Sequence, residues 1–254
     1  MNITIHDDAA AMGRAAAAEA AAALTAAIDE NGEATLVVAT GASQFEVLAA
    51  LVAADVDWSR VHGFHLDEYV GLSMSHPASF RRYLKERLVD RVPLASFHYL
   101  DAEHDPRQTA ETAATAIGER TVDLLLCGIG ENGHLAFNDP PADFETPLPY
   151  LVVELDEACR RQQVGEGWFE TLDDVPTAAI SMSIRQLLRS RRIICSVPDE
   201  RKAAAVCDAL EGEVTPDVPA SVLQTHAGVS LHLDAAAASR LSGDAGDVRR
   251  ATDP

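Results

Sequence analysis

The densest run of chemistry-bearing residues is Val122–Asp139, V-D-L-L-L-C-G-I-G-E-N-G-H-L-A-F-N-D. A mostly apolar stretch of strand length, Val122–Cys127, breaks into Gly128, Gly130 and Gly133. Asn132, His134, Asn138 and Asp139 accompany these glycines before Pro140-Pro141 closes the segment. In α/β proteins the turn after a parallel strand is where ligands bind. Glycine there lets backbone N–H groups approach a ligand with no Cβ in the way. A histidine needs a partner to fix its tautomer, and a nearby carboxylate keeps it basic. His134 with Asn132 and Asp139 therefore reads as a proton-transfer group with its support; the alternative is a structural histidine capping a turn.

Three further stretches carry usable groups. Asp67-Glu68-Tyr69 follows the apolar run Val61–Leu66. Adjacent carboxylates usually mark a solvated loop, but at a ligand edge burial and mutual repulsion would raise one of them toward the range of a general base. Thr40-Gly41-Ala42-Ser43 lies between a strand and a helix, where two hydroxyls and N–H groups at a helix start suit a sugar phosphate. An ordinary turn with an N-cap serine is the competing explanation, and the pattern is far from G-x-x-x-x-G-K-[ST]. Lys202 is one of only two lysines beside eighteen arginines. At a strand–helix junction it is either a point charge for a phosphate or part of a solvated face. His62-x-x-His65 would point its rings to opposite faces of a strand, which makes a poor metal pair. Cys127, Cys159, Cys195 and Cys207 are widely spaced with no C-x-x-C, which argues against disulfides and zinc.

These groups need a frame. Strands are expected at Ala34–Ala39, Val61–Leu66, Phe97–Leu100, Val122–Cys127, Tyr150–Leu155, Arg192–Val197 and Val229–Leu233. Helices are expected at Ile5–Ile28, Phe45–Ala53, Pro77–Arg91, Arg107–Ile117, Ala178–Leu188, Arg201–Leu210 and Ala235–Leu241, with a lid or short helix in Glu157–Asp174. Such alternation predicts an α/β fold: a mostly parallel sheet with helices on both faces. At 254 residues and 47% hydrophobic the chain suits a single domain, residues 1–241. The Gly/Asp/Arg-rich tail, 242–254, is expected to fray. A net charge of −20 argues against nucleic acid as a partner. No apolar run approaches membrane-spanning length, and M-N-I-T-I-H-D-D lacks the basic and apolar regions of a signal peptide. A cytoplasmic protein with no membrane partner is expected.

Together these stretches resemble the glucosamine-6-phosphate deaminase/isomerase family, whose relatives include the 6-phosphogluconolactonases. L-D-E-Y-V-G-L followed by S-H-P-A-S-F is similar to one family signature, L-L-L-C-G-I-G-E-N-G-H-L-A-F-N-D-P to a second, and S-V-L-Q-T-H at Ser221–His226 to a third. Lactonases share the G-H of the second motif but not the A-F-N-[acid]-P that follows. The resemblance implies a single-domain, Rossmann-like three-layer sandwich with a sheet of about seven strands. It also implies a reaction without metal or cofactor, in which glucosamine 6-phosphate and water become fructose 6-phosphate and ammonia. Asp67 would move the proton between C2 and C1, and His134 would open the ring, with Asn132 and Asp139 flanking and orienting it. Thr40, Gly41, Ala42, Ser43 and Lys202 would hold the phosphate. The chain departs from the family in having Asn132 for an Asp, Asp139 for a Glu, and Ala42 where a hydroxyl is usual. Gly165–Phe169 stands where a phosphate-clasping Arg is expected, and Arg160 or Arg161 would have to substitute for it. Competing assignments are a lactonase acting through His134, another sugar-phosphate isomerase, and a non-catalytic sugar-phosphate sensor. The small-molecule partner is a sugar phosphate in each case, and a homo-oligomeric assembly is left open.

Overall fold

Asp8 sets the first boundary of the fold. Its carboxylate accepts from the Ala11 backbone N–H at 2.7 Å, an N-cap that starts helix α1 at Ala9 and lets it run to Asn31. The residues ahead of it are thereby released as strand β1, Asn2–His6. The helix expected from Ile5 thus begins later, because β-branched Ile3, Thr4 and Ile5 pair with a distant strand and favour extended backbone. Gly32, at φ +83°, ends α1 as a left-handed C-cap.

The computed structural model describes residues 1–118, 120–242 and 248–250. After α1 come β2 (Ala34–Val38), α2 (Phe45–Leu51), β3 (Val61–His65), β4 (Asp67–Tyr69), α3 (Phe80–Leu84) and β5 (Ser96–His98). Next are α4 (Pro106–Ile117), β6 (Leu124–Cys127), β7 (Tyr150–Glu154), α5 (Glu157–Gly165), β8 (Ala178–Met182) and α6 (Ile184–Leu187). The chain closes with β9 (Arg192–Val197), α7 (Ala203–Glu211), β10 (Val229–Asp234) and β11 (Val248–Arg250).

Eight strands form one sheet in the order β11-β1-β10-β9-β6-β2-β3-β5, and every pair in it is parallel. Its two faces follow the strand period of two. Leu36, Val38, Leu124, Leu126 and Ile194 pack with Ala16 and Leu24 of α1 and with Leu48 and Leu51 of α2. Val37, Leu125, Cys127, Ile193 and Cys195 pack instead with Ile117 of α4, Leu187 of α6 and Val206 of α7. The expected three layers are therefore present.

A second, antiparallel sheet, β4-β8-β7, differs from expectation. Tyr150–Leu155 was expected in the main sheet but pairs with β8. The segment Ala178–Leu188, whose alanines favour a helix, is strand up to Met182 and helical only after Ser183, whose hydroxyl caps α6. Pairing on both edges of β8, with β4 and β7, outweighs local propensity. Ala235–Leu241 forms turns rather than a helix. Of the tail, Val248–Arg250 adds an edge strand beside β1, while 243–247 and 251–254 lie outside the described residues.

The strand order places the site. From β2 the chain builds outward through β3 to β5, whereas β6, on the other flank of β2, leads away to β9 and β10. The connections leaving β2 and β6 diverge, and the crevice between such carboxyl ends is where open α/β sheets bind ligands. Among the described residues no helix is long and apolar enough to cross a membrane.

Candidate active site

A cavity of about 310 Å³ occupies that crevice, within the size range of small-molecule sites. Thr40, Gly41, Ala42 and Ser43 line it after β2, Gly128, Gly130 and His134 after β6, and Asp67 between the two sheets. Gly128 is needed here because a Cβ would lie 2.7 Å from Ser43 Oγ; the missing side chain brings the two turns together. Gly41, at φ +89°, reverses the first turn, and its carbonyl accepts from Tyr83 Oη at 3.0 Å.

Asp67 opens β4 at the point where the chain leaves the main sheet, so it is buried yet faces the cavity. Its Oδ1 finds no hydrogen-bond partner among the described residues. Burial, together with the adjacent Glu68 charge, pushes Asp67 up to about 8. Glu68 points away from the cavity and accepts from Tyr69 N, Phe80 N, Arg81 N and Ser79 Oγ at 2.7–3.2 Å. Arg81, itself 4% exposed, stands 3.5 Å from Glu68 and bonds Asp101, Glu103 and the Leu72 carbonyl. The neighbouring carboxylates thus have opposite tasks: Glu68 anchors the loop, and Asp67 is left unpartnered at the cavity wall. Arg81→Met removes the cation beside buried Glu68, and the protein should lose about 3–5 kcal/mol of stability, read as a lowered midpoint in urea unfolding.

His134 Nδ1 lies 3.1 Å from Asp139 Oδ1. Asp139 also accepts from Asn132 Nδ2 at 3.0 Å and from the Asp156 N–H at 3.0 Å. Burial alone would raise the Asp139 pKa, but the hydrogen bond and charge of His134, with these other donors, hold it below the ordinary carboxylate range. An ionised Asp139 only accepts, so in the neutral imidazole Nδ1 is the protonated nitrogen and Nε2 offers its lone pair to the cavity. Asn132 uses both ends: Oδ1 accepts from the His134 N–H, and Nδ2 also reaches Asp156 Oδ2 at 3.2 Å. Asn138 is engaged elsewhere, donating to the Leu135 and Met182 carbonyls and so tying the motif to β8. Ala220, the residue just before the third signature, donates its N–H to the Gly133 carbonyl at 2.8 Å.

A Cβ at Gly130 would collide with the His134 ring. Gly130→Ala should therefore displace the imidazole and lower kcat/KM by about 10²-fold with the thermal melt nearly unchanged, as steady-state kinetics beside a melting curve would show.

His134, Asp139 and Cys159 bring donor atoms within 4.8 Å of one another. Burial pushes the Cys159 thiol well up, and a protonated thiol is a poor ligand. Of the strand histidines, His62 bonds Ser96 and Glu33, and His65 is buried and accepts from Leu100 N–H.

Lys202 reaches the cavity from the turn before α7 and is 7% exposed. Arg160 and Arg161 do not, which corrects the expectation that one of them supplies the missing guanidinium. Arg160 donates to the Leu172 and Val175 carbonyls, and Arg161 pairs with Glu157 on the surface. The N-cap Asp156 sets the phase of α5 so that Cys159, Gln162 and Gln163 face inward. The arginine on the cavity wall is Arg201, held by Asp199 through Nε and Nη2 at 3.0 and 2.8 Å. Gln162, Gln163 and Glu166 complete this wall. Sequence reasoning passed over these four; adjacency to Lys202 was the only signal for Arg201. Asp199 sits at φ +87°, a strained backbone for a residue with a Cβ, and its N–H is held by Asp234 at 3.1 Å.

A family model described as glucosamine-6-phosphate isomerases/6-phosphogluconolactonase matches residues 7–232. The glucosamine-6-phosphate deaminase of Exiguobacterium sibiricum is 38% identical over 218 residues, covering 85% of each chain. That of Streptococcus thermophilus is 38% identical over 213 residues, 83% of this chain and 89% of the relative. Among solved structures, a monomeric glucosamine-6-phosphate deaminase superposes with a TM-score of 0.85 at 28% identity, over 94% of this chain and 99% of that one. The 6-phosphogluconolactonase of Trypanosoma brucei shares the fold, with a TM-score of 0.76 at 16% identity over 95% and 98% of the two chains.

Proposed function

Because the chain belongs to the glucosamine-6-phosphate isomerase/6-phosphogluconolactonase family, we propose that it converts glucosamine 6-phosphate and water to fructose 6-phosphate and ammonia. The observation that carries this reading is the unpartnered, buried Asp67 carboxyl in one cavity with the lone-pair face of His134 and the two cations Arg201 and Lys202.

The chemistry distributes over those groups. His134 Nε2 takes the anomeric hydroxyl proton and returns it to the ring oxygen, which opens the sugar. Asp67 then removes the proton from C2 while the C1 carbonyl oxygen takes one up, giving an enolamine. Delivery of a proton to C1 leaves an imine at C2; water adds there, ammonia departs, and the ketone remains. A base over C2 and a separate acid–base pair at the ring oxygen are both required. The turn Thr40–Ser43, with Lys202 and Arg201, fixes the phosphate and so makes the approach of C2 to Asp67 reproducible. Asn132 and Asp139 touch His134 rather than the cavity and act by orienting it.

The test is to incubate purified protein with glucosamine 6-phosphate and assay ammonia and fructose 6-phosphate together. Equal yields of the two are expected. Turnover of 6-phosphogluconolactone with no ammonia from the amino sugar would overturn the reading.

A further inference from the structure

The cation end of the cavity is already neutralised from within. Lys202 Nζ donates to Glu166 Oε1 at 3.2 Å and lies 3.9 Å from Glu131 Oε1. Arg201 is paired with Asp199 and stands 3.7 Å from the same Glu131 oxygen. Two cations thus face three carboxylates where a phosphate must bind. The Lys202–Glu166 pair is the sheltered one, with side chains 9% and 8% exposed. Arg201 and Asp199 are both more than 40% exposed, so water screens them and the pair constrains little.

Glu166 is also held in place. Gln162 Nε2 donates to Oε1 at 2.9 Å and Trp168 Nε1 to Oε2 at 3.2 Å. The Trp168 ring in turn lies 6.1 Å from Phe45 and 6.3 Å from Tyr83, centroid to centroid, beside the Thr40–Ser43 turn. The carboxylate therefore sits where an incoming phosphate oxygen would meet the lysine.

The geometry points to Glu166 as the internal counter-ion of Lys202, a specificity-determining residue that a substrate phosphate must displace to bind. Rejection of weaker anions follows. A carboxylate or a sulfate monoester carries one charge against the two of a phosphate dianion, and competes less well for an ammonium that already has a partner. The phosphate affinity of the free protein is lowered by the fraction of molecules in which Lys202 is unpaired. This inference rests on the sugar-phosphate reading of the cavity, and the experiment separates the two.

Inorganic phosphate is titrated calorimetrically into the parent protein and Glu166→Gln, and KM and kcat for glucosamine 6-phosphate are measured on both. Glutamine keeps the shape and an acceptor for Trp168 but not the charge. Phosphate Kd and sugar-phosphate KM are both expected to fall about tenfold, with a smaller change in kcat, and Glu166→Ala should shift both constants the same way. A structural role alone would weaken binding or lower kcat instead. Equal or weaker phosphate binding by both variants, with KM equal or higher, would overturn the counter-ion assignment and leave the deaminase reading standing if ammonia is still released. Absence of phosphate binding and of ammonia release in all three proteins would overturn both.

Discussion

Asp67→Asn is expected to lower kcat for ammonia release by about 10²–10⁴-fold while leaving the fold intact. Asparagine matches the shape of the carboxyl but cannot take a proton from carbon. Exchange of the transferred hydrogen with solvent, followed by mass spectrometry, should vanish together with turnover; retained activity would remove Asp67 from the proton transfer. The parent's pH dependence follows from the same burial. With Asp67 pushed up to about 8, the base form is a minority at neutral pH. The kcat/KM should therefore rise about tenfold per pH unit below that value and level off above it.

The stability consequence has a definite sign. The folded pKa lies above the unfolded carboxylate value, so the stability owed to neutral, buried Asp67 is complete below about pH 4. It is lost as pH rises through about 8. Asp67→Asn has no charge to bury and should melt at a higher temperature than the parent at pH 8–9, the difference closing toward pH 4. An active site that is less stable in its working protonation state is a common cost of function.

His134→Gln is the second large effect, a fall in kcat of about 10²–10⁴-fold. Glutamine can still accept or donate a hydrogen bond at the cavity but cannot shuttle a proton between two oxygens. The phosphate end is untouched, so inorganic phosphate should bind the variant with the parent's Kd. A comparable loss of phosphate affinity would show that the histidine shapes the cavity rather than acting on the ring.

Asn132 explains one departure from the family pattern. Its amide donates to both Asp139 and Asp156, so it separates two carboxylates that an aspartate at this position would repel. Among the described residues the carboxylate bonded to the His134 ring is Asp139, whose pKa the neighbouring donors hold below the ordinary carboxylate range.

The glycines of Val122–Asp139, the Thr40–Ser43 turn and the Asp67-Glu68 pair lie directly after apolar strands. A parallel sheet aligns the ends of its strands, so the sequence by itself placed these groups along one edge. The His134–Asp139 contact spans five positions of one turn and is similarly local. The tertiary structure decided what depends on elements far apart in the chain. Whether Ala178–Met182 is helix or strand depends on partners at β4 and β7. Which of Glu68 and Asp67 becomes the free carboxyl depends on Arg81 and the start of α3. That Arg201 rather than Arg160 faces the cavity, and that Glu166 meets Lys202 across 36 residues, depends on how α5 and the turn that follows it meet the turn after β6 and the turn before α7. Spacing within one element determines which side chains share a face; only packing between elements determines what that face meets.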